Sequence, residues 1–292
     1  MSIDRILVIG AGLMGSGIAQ VAAQSGIKVC MHDVDEASLE RGLNSIKYSL
    51  GRFVKKGRFT LDERDEILNR IEVTTDLGRS AQAQLVIEAI FENMELKQKI
   101  FRELDKVCPT KTYFASNTSA LSITELASVT GRPEKVIGMH FFSPVPMMKL
   151  LEIVKGMHTS EETVKVAERV GKRMGKETVV AKRDFGGFLL NRIALPYSRM
   201  AIVALTEGVG TPEDIDKGMR LGFGMPMGPL ELADLTGIDV LLHAMTAIYE
   251  DIGDEAFCPP PLLKRMVDAG RLGRKVGYGF YKYAENGKKI ID

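Results

Sequence analysis

Six residues near the start constrain this chain most: Gly10-Ala11-Gly12-Leu13-Met14-Gly15, a G-x-G-x-x-G loop. It follows the apolar run Arg5-Ile6-Leu7-Val8-Ile9 and opens an amphipathic stretch from Leu13 to Ser25. That context makes it a strand–turn–helix unit. Gly10 permits the tight turn, Gly12 lets backbone approach a pyrophosphate, and Gly15 allows close helix–strand packing. The phosphates then meet the free N–H groups and the dipole of a helix N-terminus. Asp33 follows the second strand, Lys28–Met31, 18 residues after Gly15. A carboxylate there accepts hydrogen bonds from ribose hydroxyls and repels a 2′-phosphate, which favours NAD over NADP. Asp35 reads as a helix N-cap.

Short β-branched runs alternate with longer amphipathic ones through the first two-thirds of the chain, as in an α/β sheet with crossover helices. After the second strand a helix is expected from about Glu36 to Val54. A basic link follows (Lys55-Lys56-Gly57-Arg58), then a helix from about Leu61 to Asn69. This hairpin exceeds what a minimal crossover needs, so it reads as an insertion placed to cover a ligand. Further strands are expected at residues 85–90, 113–116, 136–139, 150–154 and 178–180, with a helix from Ser160 to Met174. Beyond Phe185-Gly186-Gly187-Phe188 the pattern is helical, and Thr211-Pro212-Glu213-Asp214 is a helix start. The expected fold class is α/β. A Rossmann-type N-terminal domain with a helical-hairpin insertion (residues 1–184) precedes an all-α C-terminal domain (residues 185–292).

A second feature bears on chemistry. His140 closes an apolar run, a double-proline turn (Ser143-Pro144-Val145-Pro146) reverses the chain, and Glu152 sits inside the next apolar run. An unpaired charge is costly inside a strand, so the two residues are expected to pair. Such a pair is either a satisfied structural contact or a general base whose tautomer the carboxylate fixes. Ser116-Asn117-Thr118-Ser119 follows a strand, where sheets of this kind bind ligands. Ser122 alone could cap the next helix. Glu92-Asn93 holds an equivalent edge position, and Asn191 interrupts an apolar run at the start of the helical part. His32, His158 and His243 read as structural or solvated.

A formal net charge of +1 supplies no global field for nucleic acid or an acidic membrane surface. Cys30, Cys108 and Cys258 are far apart and form no metal-ligand spacing, so no metal and no disulfide framework is expected. The N-terminus enters a strand pattern at once, and no apolar run approaches a membrane span. A soluble, cytoplasmic protein is expected. The helical part carries more apolar stripe than it can bury alone, which suggests a homodimer through that domain.

The segments GAGLMGSGIAQ, FASNTSALSIT, GMHFFSPVPMMKLLEIV, FLLNR, MGPLELAD and GRKVGYGFYKY together resemble the short-chain L-3-hydroxyacyl-CoA dehydrogenase family, which includes bacterial 3-hydroxybutyryl-CoA dehydrogenases. The resemblance runs nearly end to end. It implies reversible NAD-dependent oxidation of a (3S)-3-hydroxyacyl-CoA to the 3-ketoacyl-CoA. By matching positions it implies His140 as base, Glu152 as its partner, Ser119 on the substrate's 3-oxygen and Asn191 positioning the substrate. It adds Glu92, Lys97, Ser119, Ser143 and Lys275 to the cofactor contacts of the glycine loop and Asp33. It places Ser49 and Lys56, with Ser119, on the acyl-CoA. The family often has Asn where this chain has Ser143, and Pro-Gly where it has Gly186-Gly187. The rival readings are a dehydrogenase of a free hydroxy or sugar acid on the same scaffold, and a non-catalytic NAD-binding protein.

Overall fold

The computed structural model describes residues 3–290, and the chain divides into two compact units, Met1–Phe188 and Leu189–Asp292. Among the described residues of the first unit, eight strands form one sheet: β1 Arg5–Ile9, β2 Lys28–His32, β3 Ile71–Thr74, β4 Leu85–Glu88, β5 Tyr113–Ser116, β6 Val136–Phe141, β7 Leu150–Val154 and β8 Glu177–Ala181. Their order is β3-β2-β1-β4-β5-β6-β7-β8. Neighbouring strands run parallel except β6 and β7, which the short turn between them makes antiparallel. The order reverses between β1 and β4, and that switch point is where a doubly wound sheet opens a ligand crevice at its carboxyl edge.

Helices cover both faces, so successive strand residues are buried on opposite sides. Ile6, Val8, Met31, Met139, Phe141, Leu151 and Ile153 enter one apolar cluster. Leu7, Ile9, Cys30, Val86, Phe114 and Val154 enter the other, against Phe101 and Leu104 of α4 (Met94–Val107). Strand β3 lies at the sheet edge, with its residues exposed or half-buried, so it lacks the apolar run that marks the other strands. Strand β4 ends at Glu88 rather than Ile90.

The hairpin is α2 (Glu36–Lys55) and α3 (Leu61–Asn69). Leu39, Ile46 and Leu50 of α2 and Ile67 of α3 belong to the first cluster, with α1 (Leu13–Gln24). The hairpin is thus built into the core. Gly42 of α2 presses on the glycine loop, since a Cβ there would stand 2.5 Å from the Ala11 carbonyl oxygen.

The second unit holds α7 (Asn191–Thr206), α8 (Pro212–Phe223), α9 (Pro229–Thr236), α10 (Ile238–Ile252) and α11 (Pro261–Asp268). Two buried carboxylates organise it. Asp216 of α8 accepts the Leu230 and Glu231 N–H groups at 2.8 and 2.9 Å, capping α9 across the fold. Asp234 of α9 accepts the Phe280 and Tyr281 N–H groups at 2.8 and 2.9 Å and the Tyr283 hydroxyl at 3.0 Å. Burial pushes the Asp234 carboxyl up from its ordinary value, against the pull of those donors. The tail they anchor forms bridges at Gly273–Tyr278 and Tyr283–Lys289 around a short 3₁₀ turn at Arg274–Val276. Among the described residues no single helix is long and apolar enough to cross a membrane; α9 and α10 pass that test only as a pair, bent by 96°.

Candidate active site

The glycine loop joins β1 to α1. Gly10 has φ +100, and a Cβ there would meet the Ala89 carbonyl oxygen at 2.5 Å. A Cβ on Gly15 would stand 1.9 Å from the Gly10 oxygen, whereas one on Gly12 meets nothing within 4 Å. Gly12 is the N-cap of α1 and offers no side-chain cap. By contrast α2, α3, α4, α5 (Ile123–Ala127) and α6 (Glu161–Arg173) carry caps from Asp35, Thr60, Asn93, Ser122 and Ser160. The first-turn N–H groups of α1 therefore suit an anionic ligand. Asp33 Oδ2 accepts the Ala11 N–H at 2.8 Å, which ties the end of β2 to the loop. Beside it opens a cleft of about 400 Å³ with Leu13, Val34, Ile90, Phe91, Leu96 and Ile100 in its wall. An apolar slot beside a carboxylate at the end of the second strand and an open helix start fits NAD. His32, also in the wall, is buried, and that burial lowers its pKa, favouring the neutral imidazole.

At the carboxyl end of β4 and β5 lies an ionic cluster. The buried Lys97, on α4, donates its Nζ to Glu88 Oε1 at 2.6 Å and pairs with Glu92 Oε2 at 3.2 Å. Glu88 also accepts the Ser116 hydroxyl at 2.6 Å and the Ile90 N–H at 2.7 Å. Glu92 accepts the Thr118 hydroxyl, and the Ser119 N–H at 2.9 Å. Burial works to raise the Glu92 pKa, but the Lys97 ammonium and these donors outweigh it and hold it below its ordinary value. Lys97, expected on the cofactor, thus has its ammonium engaged by two carboxylates. Glu88 carries the same cue as Glu152, an ionisable residue in an apolar run, yet its sequence neighbours do not reveal the partner nine residues on.

His140 and Glu152 are direct partners in the β6–β7 ladder, with Nδ1 and Oε2 2.9 Å apart. Alternation puts both on the sheet face opposite Met139, Phe141, Leu151 and Ile153. Glu152 is fully buried and His140 nearly so. The imidazole packs on Phe142 and Phe188, at centroid distances of 4.4 and 6.2 Å. With the Nδ1–H donated to the carboxylate, Nε2 carries the lone pair a base requires. Two long-range contacts hold the segment. Asn117 Oδ1 accepts the Phe141 N–H at 2.9 Å. The buried Lys176 ammonium donates to the Val145 and Met148 carbonyls at 2.5 and 2.7 Å, and burial lowers its pKa. Neither residue's role was visible in the sequence, because each acts across more than twenty residues.

The structure thus gathers the glycine loop, Asp33, Glu92, Lys97, Ser119, His140 and Glu152 along one edge of the sheet. Ser143 is exposed and precedes a cis Ser143–Pro144 bond. Ser49 lies on α2 and Lys56 at its C-terminus, seven residues apart and so on one helix face. On the second unit, Asn191 is the half-buried first residue of α7, and Lys275 is paired with Asp239 at 2.6 Å. Among the described residues no group of three or more His, Cys, Asp or Glu side chains is placed to hold a metal ion.

These features define an NAD-dependent oxidoreductase on a doubly wound sheet. The family model "3-hydroxyacyl-CoA dehydrogenase, NAD binding domain" matches residues 5–185, and its companion C-terminal domain matches residues 187–283. The chain belongs to the 3-hydroxyacyl-CoA dehydrogenase family. It is 49% identical over 285 residues to a probable 3-hydroxybutyryl-CoA dehydrogenase of Bacillus subtilis, covering 98% of this chain and 99% of the relative. It is 44% identical to the 3-hydroxybutyryl-CoA dehydrogenase of Bradyrhizobium diazoefficiens, covering 96% of each. The crystal structure of the Ralstonia eutropha (S)-3-hydroxybutyryl-CoA dehydrogenase superposes with a TM-score of 0.91 at 41% identity, over 97% of this chain and 100% of that one.

Proposed function

We propose that the enzyme interconverts a short-chain (3S)-3-hydroxyacyl-CoA, such as 3-hydroxybutyryl-CoA, and its 3-ketoacyl-CoA, with His140 as general base. The observation that carries this reading is the 2.9 Å His140–Glu152 pair beside a dinucleotide crevice. NAD, when bound, would supply the acceptor for the hydride that leaves C3 of the substrate. In the oxidative direction His140 Nε2 takes the 3-hydroxyl proton, and Glu152 holds the ring in place and stabilises the imidazolium. Ser119 holds the 3-oxygen, with its N–H fixed on Glu92, and Asn191 positions the substrate. The glycine loop, Asp33, Glu92, Lys97, Ser143 and Lys275 serve the cofactor.

The coenzyme A end falls to Ser49 and Lys56. Lys55, Lys56 and Arg58 supply the cations that its diphosphate and 3′-phosphate need. Lys56 is exposed, so replacing it costs the fold little. A Lys56→Glu enzyme is expected to raise KM for acetoacetyl-CoA about tenfold, the loss and reversal of one charge contact, with KM for NADH unchanged. Equal rises for both substrates would argue against a coenzyme A site on the hairpin.

The reaction itself is tested by NADH oxidation with acetoacetyl-CoA and, in parallel, with free acetoacetate and a keto sugar acid. Turnover confined to the thioester is the expected result, and preference for a free acid would replace the assignment. We place the enzyme in the cytoplasm as a homodimer through the helical unit. Ile193, Val209, Leu221 and Phe223 of that unit are 65–76% exposed, an apolar surface suited to a second copy.

A further inference from the structure

We propose that the buried Glu88–Lys97–Glu92 cluster strengthens binding of the oxidised nicotinamide relative to the reduced one, with Glu88 supplying negative charge from behind the cofactor-facing residues. Two carboxylates share one ammonium, so the cluster carries one net negative charge. The Lys97–Glu88 pair at 2.6 Å already satisfies the cation, with side chains 1% and 0% exposed. Glu92 is the surplus acid, and at 27% exposed it is the member that reaches the surface. The other donors to the cluster, Ser116, Ile90, Thr118 and Ser119, are neutral dipoles that stabilise the carboxylates without cancelling the charge.

A net charge held in a partly buried setting is costly unless something of opposite sign meets it. The cluster sits at the carboxyl ends of β4 and β5 and hydrogen-bonds Ser119. Oxidised nicotinamide carries a positive charge there and reduced nicotinamide does not, so the cluster's field acts on one form alone. The inference rests on the proposed reaction for one point, that the nicotinamide lies on the Ser119–His140 side of the crevice. Glu88 touches neither substrate nor cofactor in this account and acts through Lys97 and Glu92.

The test reads binding without substrate. In Glu88→Gln the carboxamide can still accept from Lys97 and Ile90 and donate to Ser116, so the change removes charge and keeps shape. Dissociation constants for NAD+, NADH and ADP-ribose are measured by calorimetry. The expected result is about tenfold weaker NAD+ binding, with NADH and ADP-ribose within about twofold of wild type. An unchanged NAD+/NADH ratio, or parallel weakening of all three ligands, overturns the proposal. If Glu88→Gln does not fold, Glu92→Gln removes the same unit of charge and must move the ratio in the same direction; an unmoved ratio overturns it equally. Wild-type turnover of acetoacetyl-CoA is assayed separately, so failure of the reaction and failure of this proposal are told apart.

Discussion

A His140→Asn enzyme is expected to fold, to bind NADH with near wild-type affinity, and to lose about 10²- to 10⁴-fold in turnover, the usual worth of a general base. Asparagine is the informative choice because of what His140 does for Glu152. The carboxylate is fully buried and faces the imidazole Nδ1 at 2.9 Å. An Asn carboxamide nitrogen reaches nearly the same point, so the donor to Glu152 survives while the basic Nε2 is lost. Alanine removes both. Taking one partner from a buried pair costs about 3–5 kcal/mol, so His140→Ala is expected to lower the melting temperature as well as turnover. The two variants therefore separate chemistry from folding. Near-normal turnover in the Asn variant at saturating NADH and acetoacetyl-CoA would end the assignment of His140 as base.

Legibility of this molecule in its sequence follows the range of the interactions. The strand–loop–helix unit, the α2–α3 hairpin and the caps at Asp35, Ser122 and Thr211 rest on neighbours within a few residues, and each stands where the sequence placed it. The His140–Glu152 pairing was also readable, because two ionisable residues in apolar runs across one turn have few other partners. Strand β3 was not, since an edge strand with no fully buried position leaves no apolar run. The cluster around Lys97 was hidden for another reason. Glu88 and Lys97 meet only because α4 packs back on β4, and the sequence shows two charges without the contact between them. The same holds for Asp184, which accepts the Ser122 hydroxyl at 2.8 Å and the Thr124 N–H at 2.6 Å from some sixty residues away. Asp33 shows a finer limit. Its spacing marked a carboxylate expected to face a ribose, but not that the same side chain holds the Ala11 N–H and so stiffens the loop.

The glycine loop makes the sharpest separable prediction, because its glycines have different physical duties. Gly12 has an ordinary φ of −68, and a Cβ there meets no protein atom within 4 Å. Gly12→Ala is therefore expected to leave the melting temperature within about 2 °C of wild type. On the proposed function the added methyl nonetheless stands where backbone must approach the pyrophosphate, and NADH affinity is expected to fall on the order of a hundredfold, or about 2.7 kcal/mol. Gly15 is the opposite case. A Cβ there would lie 1.9 Å from the Gly10 oxygen and 3.5 Å from Val8 Cγ1, so α1 must move off β1 to admit it. Forced separation of packed backbone costs about 1–3 kcal/mol or more. Gly15→Ala is thus expected to melt several degrees lower and to bind NADH poorly because the loop itself is displaced. Thermal melts and NADH fluorescence titrations on the two variants decide the matter. If Gly12→Ala melts as low as Gly15→Ala, or binds NADH normally, then the loop does not divide its work between ligand approach and helix packing in this way.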